Sequence, residues 1–396
     1  MMDSRAAPVS DGRPATSHPV RGSVMRFRRF ALMFALFAAA ANALHSASTK
    51  QIVAYVFPAN SVIPPGSIDP HRITRINYAF ALIKDGRIGP GYANDTENLA
   101  TVTALRKQNP TLTILISVGG WLGSGGFSDM ALTRESRARF IDSVMDFLAR
   151  HDLDGLDVDW EYPGLPGAPG NTYRAEDKQD YTLLLRGLRL RFDVAGKKTG
   201  RRLWLTIAAG ASNGFLEHTE MRQVARIVDS VNLMAYDYYT PGSEPITGHH
   251  AALFTNPADP DKASADASVQ SFETDGVPAS KLVLGVPFYG HSWSNVADRD
   301  HGLYQPGTAG TNGWANFDVI ESTLIGQGYT RYWDDAAQVP WLYNAETRTF
   351  VSYEDEQSVA GKCRYVRAHR LAGVMFWDLE GDSGGKLLGA IAANLR

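Results

Sequence analysis

Four carboxylates lie close together in the middle of the chain, in the stretch Leu153–Pro163, which reads LDGLDVDWEYP. Three of them, Asp157, Asp159 and Glu161, alternate with apolar residues, and a period of two is typical of a β-strand. At a rise of about 3.3 Å per residue, successive acids are roughly 6–7 Å apart along the strand. The spacing therefore predicts a row of three carboxylates on one face.

The chemistry open to this row depends on where the strand lies. An exposed edge strand could carry acids on its solvent face, but the Leu, Val and Trp of the other face favour a central, buried strand. Desolvation and like charges then raise the carboxyl pKa values, and a carboxyl group protonated near neutral pH can act as a general acid. A hard metal ion is the competing use of clustered acids. We expect no second group of acids or histidines at the other strand ends, and hence no metal and no cofactor.

Short apolar runs alternate with amphipathic stretches from residue 51 onward. The clearest helical periodicity is in Thr133–Arg150 and Tyr181–Phe192. Eight strand-helix units predict an α/β fold, a (β/α)₈ TIM barrel over residues 51–396, with the active site at the carboxyl ends of its strands. The eight predicted strands are Ile52–Val56, Ile76–Leu82, Leu112–Val118, Gly155–Trp160, Leu203–Ala209, Ser230–Ala235, Leu282–Val286 and Gly373–Phe376.

One interval is too long for a single βα connection, the one between Gly290 and Leu371. It predicts a small α+β domain at residues 292–352, inserted between the seventh strand and the last barrel units. Its predicted elements are a helix at Asn316–Ile325 and short antiparallel strands at Thr330–Trp333, Val339–Tyr343 and Thr349–Tyr353.

The first 43 residues read as an N-terminal extension followed by a secretory signal peptide. A basic cluster that begins at Arg26 precedes the apolar run Phe30–Ala41 and an A-x-A site that ends at Ala43. The run is too short to span a bilayer comfortably, although a membrane anchor is the alternative. We expect cleavage near Ala43, a secreted protein (extracellular or periplasmic) and no stable membrane association. Met25 is an alternative start of translation.

The composition is that of a globular protein, with 44% hydrophobic and 20% charged residues. Cleavage after Ala43 would remove six arginines and two aspartates, which takes the formal net charge from −3 to −7. A mildly acidic protein is a poor partner for nucleic acid or an anionic membrane. The single cysteine, Cys363, excludes an internal disulfide and is expected to be buried. We expect a monomer.

The acidic run resembles the D-x-x-D-x-D-x-E motif of family 18 glycoside hydrolases, the chitinase family, and every acidic position is filled. Four further stretches match the family in the right order: SVGGW at Ser117–Trp121, NLMAYD at Asn232–Asp237, GVPFYG at Gly285–Gly290 and GVMFW at Gly373–Trp377. The resemblance covers roughly residues 51 to 396. It implies hydrolysis of β-1,4-linked N-acetylglucosamine polymers with retention, in which the substrate's own acetamido oxygen is the nucleophile. It also implies that the insertion forms one wall of the substrate groove.

The resemblance assigns catalytic roles to four residues. Glu161 would be the general acid and base, and Asp159 would orient the acetamido group. Asp157 would share a proton with Asp159, so that the two titrate as a pair. Tyr236 would hold the acetamido oxygen. Asp154 lies off the alternating face and is expected to bond backbone near the strand start.

The resemblance also assigns a substrate-binding set. Trp377 would form the floor on which a sugar ring stacks, with Met375 beneath it. Asp237 would contact the same sugar. The other members of the set are Tyr55, Phe80, Trp121, Tyr289 and, on the face of Tyr236, Met234.

Histidines occupy two positions of interest. His291 stands where many family members carry arginine, which leaves the pH dependence of the site open. The pair His249 and His250 is expected to lie in a loop without a metal role.

Three alternatives remain. A chitinase-like lectin keeps the groove without catalysis, although the presence of Glu161 argues against it. A family member acting on N-glycan cores or peptidoglycan would share the same motifs. An unrelated metal-dependent barrel enzyme would need a ligand set that the sequence lacks.

Overall fold

The chain folds around a closed ring of parallel strands. The computed structural model describes residues 50–395, except for the side chains of Thr311 and Asn312. The predicted extension and signal peptide, residues 1–43, lie outside the described residues. The strands are β1 (Gln51–Val56), β2 (Arg75–Lys84), β3 (Arg87–Pro90), β4 (Thr113–Gly119), β5 (Gly155–Asp159), β6 (Trp204–Gly210), β7 (Ser230–Met234), β8 (Leu282–Pro287), β9 (Tyr289–Ser294), β10 (Thr308–Asn316), β11 (Thr330–Asp334), β12 (Val339–Asn344), β13 (Thr349–Ser352) and β14 (Gly373–Trp377).

Most of the helices lie outside the barrel strands, between one strand and the next. Within the described residues the helices are α1 (Asp95–Ala104), α2 (Phe127–Ala131), α3 (Arg134–Arg150), α4 (Asp177–Thr199), α5 (Asn213–Glu217), α6 (Met221–Ile227), α7 (Ala265–Thr274), α8 (Phe317–Thr323), α9 (Glu356–Ala368) and α10 (Lys386–Leu395). Of these, α8 belongs to the insertion and α10 follows the last strand. None of the helices in this part of the chain is long and apolar enough to cross a membrane.

The strand pairing confirms the predicted (β/α)₈ barrel. The parallel ring runs β1, β2, β4, β5, β6, β7, β8 and β14, and β14 pairs with β1 to close it. All eight predicted strands are present, with their ends shifted by a residue or two. β3 is an addition that pairs antiparallel with β2.

Strand β5 shows why its alternation produces this placement. Leu156 and Val158 are fully buried and face the helices, and the Trp160 ring stacks on Phe127 at 5.0 Å. Burial of each aliphatic side chain contributes about 1.5–3 kcal/mol, so the apolar face must point outward to the helices. The acids of β5 are thereby turned into the barrel. At Gly155 a Cβ would lie 1.9 Å from the Trp204 carbonyl oxygen, so a larger residue would separate β5 from β6.

The two predicted barrel helices form, and one is longer than expected. α3 begins after Thr133, which makes a reciprocal capping box with Ser136 that stabilises the helix by about 1 kcal/mol. α4 extends over Asp177–Thr199 and ends where Gly200 adopts φ +72°. The prediction of Tyr181–Phe192 covered only the part with apolar periodicity, because the flanking turns are polar in sequence, although Asp177 and Asp180 are buried.

The insertion is a five-stranded antiparallel sheet in the order β10, β9, β13, β12, β11, together with α8. Its first strand, β9, starts at Tyr289 rather than at residue 292, and only Phe288 separates it from the end of β8. The predicted strands β11, β12 and β13 are present, whereas β9 and β10 were not predicted. β9 follows β8 almost directly, and the glycine-containing β10 has no apolar alternation. Leu342 and Val351 pack into the main hydrophobic core, so the insertion shares the barrel's core.

Candidate active site

The row of acids points into the barrel at its carboxyl end. Asp157 and Asp159 are 0% and 3% exposed, and Glu161, just beyond the end of β5, is half-buried. Asp157 accepts four hydrogen bonds, to Oδ2 from Tyr55 (2.8 Å) and Ser117 (2.8 Å), and to Oδ1 from Thr206 (2.5 Å) and Asn232 (3.0 Å). Four neutral donors from four other strands hold this carboxyl group in one orientation.

Asp159 lies between two other acids. Loss of hydration raises its pKa well above the usual value, and the charges of Glu161 and Asp157 raise it further. Its Oδ1 is buried without a hydrogen-bond partner. A proton shared within the row is therefore favoured on Asp159, and the unpartnered Oδ1 of Asp159 is available to a bound ligand. For Asp157, burial also raises the pKa, while its hydrogen bonds and the charge of Arg75 oppose that rise.

The pKa of Glu161 suits a group that both donates and accepts a proton. Burial raises its pKa to about 7, the hydrogen bond with Tyr162 opposes this, and the charge of Asp237 adds to the rise. Its backbone N–H donates to Ser124 Oγ at 2.9 Å, which fixes the end of the strand. A pKa near the working pH is the condition for efficient general acid-base catalysis.

The end of β7 brings Asp237 to the same mouth, with its side chain 42% exposed. Its Oδ1 accepts hydrogen bonds from Tyr289 Oη (2.8 Å) and His291 Nε2 (2.8 Å), with His250 Nδ1 at 3.5 Å. Lost hydration opposes ionisation, but the hydrogen bonds of His250 and His291 prevail and lower the pKa of Asp237. Asp237 is therefore anionic when Glu161 is protonated.

The two histidines before the insertion have different surroundings. His249 Nε2 contacts Asp334 Oδ2 at 3.0 Å and so joins this loop to the insertion. His250 is fully buried, and burial lowers its pKa to about 4. Asp237, His250 and His291 place ligand atoms within 4.8 Å of one another, so a second group does gather at a strand end, contrary to our expectation. Hydrogen bonds within the group already use these atoms, and we assign it no metal.

An aromatic floor lies beside the acids. The half-buried Trp377 stacks on Phe80 with ring centroids 5.4 Å apart and an interplanar angle of 21°. Phe57 contacts the same ring at 5.6 Å, and Met375 lies fully buried in this cluster. Tyr55, expected to line the groove, is only 2% exposed and lies inside the barrel, because its hydroxyl bonds Asp157.

Exposed aromatic rings flank this floor. Trp121 is 47% exposed and packs edge-on against Tyr162 at 6.4 Å. Trp314, on strand β10, is 48% exposed, and its ring lies 5.4 Å from the ring of the buried Tyr289. Trp314 was not predicted as a site residue, since the surrounding sequence, TAGTNGWAN, carries no strand pattern. The presence of one large aromatic residue in a glycine-rich run was the available signal.

Two half-buried residues of β7 and its end, Met234 and Tyr236, pack against the same interior cluster as Trp377. The Tyr236 ring meets Tyr289 edge-on at 6.1 Å. Burial, followed by the charges of Asp237, Asp159 and Glu161, raises the pKa of Tyr236 well above its usual value. Its hydroxyl therefore remains protonated, as a hydrogen-bond donor.

Asp154 lies at the opposite, amino-terminal end of β5, away from the row. Its Oδ2 accepts from the Ile114 N–H at 2.8 Å and from Arg106 at 2.6 Å, and its Oδ1 accepts from Arg201 at 2.6 Å. The predicted bond to backbone is confirmed. Asp154 therefore bonds to three other parts of the chain and lies away from the carboxyl end of the barrel.

Comparison with known proteins places this arrangement in a family. Residues 51–382 match glycosyl hydrolases family 18. The chain is 39% identical to chitinase A1 of Niallia circulans over 83% of its own length and 55% of that protein. Among solved structures, a family 18 N-acetylglucosaminidase from Paenibacillus barengoltzii aligns with TM-score 0.80 and 38% identity, over 87% of this chain and all of that one. A class V chitinase from Nicotiana tobaccum in complex with NAG4 aligns with TM-score 0.79 and 28% identity, over 87% and 99%.

The chain therefore belongs to family 18 of the glycosyl hydrolases. The resemblance drawn from its five motifs is confirmed at the level of family and fold. The chain spans about half the length of the Niallia chitinase that it matches.

Proposed function

We propose that this protein is a chitinase that hydrolyses β-1,4-linked N-acetylglucosamine polymers and their oligomers with retention of configuration. The observation that carries the proposal is Glu161, whose pKa is raised to about 7 at the end of a buried carboxylate row, beside an aromatic floor. No metal or cofactor takes part. The names of the relatives, chitinases and an N-acetylglucosaminidase, support the choice of substrate.

In the first step, protonated Glu161 gives its proton to the glycosidic oxygen as the bond from C1 to that oxygen breaks. The acetamido oxygen of the same sugar bonds to C1, and an oxazolinium ion forms. Tyr236 donates a hydrogen bond that holds the acetamido oxygen in line. Asp159 Oδ1, which has no partner in the free protein, accepts the acetamido N–H. Substrate thus satisfies a buried group that was left unpaired.

In the second step, water attacks C1 from the face the leaving group occupied and gives its proton to Glu161. The ring of the oxazolinium ion opens, and the product keeps the β-configuration. Trp377 supports the sugar ring and excludes water from its lower face. Asp157, fixed by four donors, stabilises the proton on Asp159 throughout.

Three substrates assayed side by side test this function: a chitin oligomer, an N-glycoprotein and peptidoglycan. Turnover of the chitin oligomer well above the other two is expected. Faster release of N-glycans or cleavage of peptidoglycan would contradict the proposed substrate. Oligomer binding without turnover would indicate the lectin alternative. The alignment with an N-acetylglucosaminidase makes release of single sugars the second candidate, which the lengths of the products distinguish.

The pH dependence should follow Glu161. A general acid must be protonated, so kcat/KM should fall as the pH rises through about 7, the pKa of Glu161. The charge of Asp237 raises that pKa, so Asp237→Asn should move the basic limb to lower pH, by up to about one unit. Initial rates on a soluble oligomer across the pH range give the basic limb of the parent and of the variant. A limb that moves to higher pH in the variant would contradict this coupling.

The insertion should act as a groove wall through Trp314. Trp314→Ala should lower activity on long or crystalline chitin by about 2–10-fold, the worth of one aromatic stacking contact, and affect short soluble oligomers less. Trp333→Ala is the matched control, because Trp333 lies in β11, at the edge of the sheet opposite β10. Equal losses on both substrates, or equal losses in the two variants, would count against this role.

We also propose that the protein is exported and loses its first segment. The basic cluster, short apolar run and A-x-A site are the features that signal peptidase recognises. Mass spectrometry of secreted protein should find a first residue at or near Leu44. Detection of an intact chain starting at Met25 in a membrane fraction would favour the anchor instead.

A further inference from the structure

An arginine is buried inside the barrel where the mechanism makes no use of it. Arg75, the first residue of β2, is 3% exposed. Its guanidinium lies over the Trp204 ring at 5.1 Å, and one NH2 group donates to Ser230 Oγ at 3.1 Å. Its Nε has no hydrogen-bond partner. Burying a cation costs free energy unless an anion lies nearby, so an anion is expected close to Arg75.

Two hydroxyl-bearing residues on neighbouring strands lie near Arg75 and the catalytic row. Ser230, which accepts from the guanidinium, is the register neighbour of Thr206 across β7 and β6. Thr206 Oγ1 donates to Asp157 Oδ1 at 2.5 Å. The Arg75 guanidinium and the Asp157 carboxyl group therefore each contact one member of the same register pair of neighbouring strands.

The other acid that faces Arg75 already has cationic partners. The titratable groups that face Arg75 are Asp157, Asp229, Tyr55 and Arg202, and those that face Asp157 are Asp159, Tyr55, Tyr181 and Arg75. Asp229 forms ion pairs with Arg189, at 3.2 Å, and with Arg202. Asp157 has only neutral hydrogen-bond donors. Of the two acids that face Arg75, Asp157 is thus the one without an ion-pair partner.

We propose that Arg75 is a positioning residue for the reaction, a buried counter-cation that keeps Asp157 ionised so that the shared proton resides on Asp159. Burial alone would favour protonation of both acids. The negative charge on Asp157, which holds the shared proton on Asp159, would then be lost. A cation held near a carboxyl group in the protein interior lowers the pKa of that group by about one unit. The kinetic consequence of this proposal rests on the proposed hydrolase activity.

The pH profile of kcat/KM on a chitin oligomer tests the role. Arg75→Met should move the acid limb of the profile to higher pH by about one unit, because Asp157 then takes up a proton at higher pH. Arg75→Lys keeps the charge and should restore the limb. Arg202→Met is the matched control, since Arg202 contacts the same Trp204 ring at 4.1 Å but its side chain is 61% exposed. An acid limb that stays in place in Arg75→Met, whatever the loss of rate, would overturn the proposal.

A second measurement needs no activity at all. In a double-mutant cycle of Arg75→Met and Asp157→Asn, the free energy of unfolding in urea should fall less in the double variant than the sum of the single losses, because neither charge is left alone. Additive losses would overturn the pairing. Should Arg75→Met fail to fold, rescue by Asp157→Asn would support the proposal, and no rescue would contradict it. If the wild-type protein is inactive on chitin, the proposed function is refuted. The double-mutant cycle still decides whether Arg75 and Asp157 are paired.

Discussion

Glu161→Gln should fold, bind chito-oligosaccharides about as tightly as the parent, and turn them over at least about a hundredfold more slowly. The amide keeps the shape and hydrogen-bonding capacity of the side chain but has no proton to deliver. General acid-base catalysis is typically worth about 10²–10⁴-fold, and here one residue serves in both steps. Oligomer binding by calorimetry and initial rates on the same oligomer give the two quantities needed.

Two neighbouring substitutions are the controls for this result. Asp159→Asn should also lose activity, because an amide cannot share a proton with Asp157, and the acetamido group would be misoriented. Asp154→Asn should cost mainly stability, since its contacts to Ile114, Arg106 and Arg201 lie at the other end of β5. Near-parental turnover in Glu161→Gln, together with an inactive but folded Asp154→Asn, would refute the assigned roles.

Cello-oligomers should be inert, although they match chitin oligomers in backbone and length. Their glucose units carry a hydroxyl group where the acetamido group would supply the nucleophile. An intramolecular nucleophile held in line can correspond to an effective concentration of about 10⁵–10⁸ M, so its loss is expected to remove measurable turnover. Asp159 is a poor replacement, because its raised pKa disfavours the carboxylate form that would have to attack. Rates are compared at equal concentration on oligomers of equal length, and comparable rates would contradict the account.

Much of the fold and of the carboxylate row could be predicted, because local patterns determine both. In β5, Leu156, Val158 and Trp160 must bury their side chains against the helices, and this alone turns Asp157 and Asp159 inward. The barrel strands were recognised for the same reason, as short apolar runs separated by amphipathic helices.

The rest of the site depends on contacts between residues far apart in the chain. His250 reaches Asp237 only because its loop folds back over the end of β7, and Trp314 reaches Tyr289 only across a hairpin of the insertion. Tyr55 was expected in the groove, yet its hydroxyl is drawn inside the barrel by Asp157. Arg75 carried no signal in the sequence, since a charged residue at the start of a strand is ordinarily exposed.

The central claim, hydrolysis through the substrate's own acetamido group with Glu161 as acid and base, is tested most directly by the configuration of the first product. A chitin oligomer is mixed with the enzyme in an NMR tube, and the anomeric proton of the new reducing end is recorded before mutarotation. The account predicts the β-anomer as the first product. The α-anomer as first product would show that water attacks directly from the opposite face, and would contradict the mechanism.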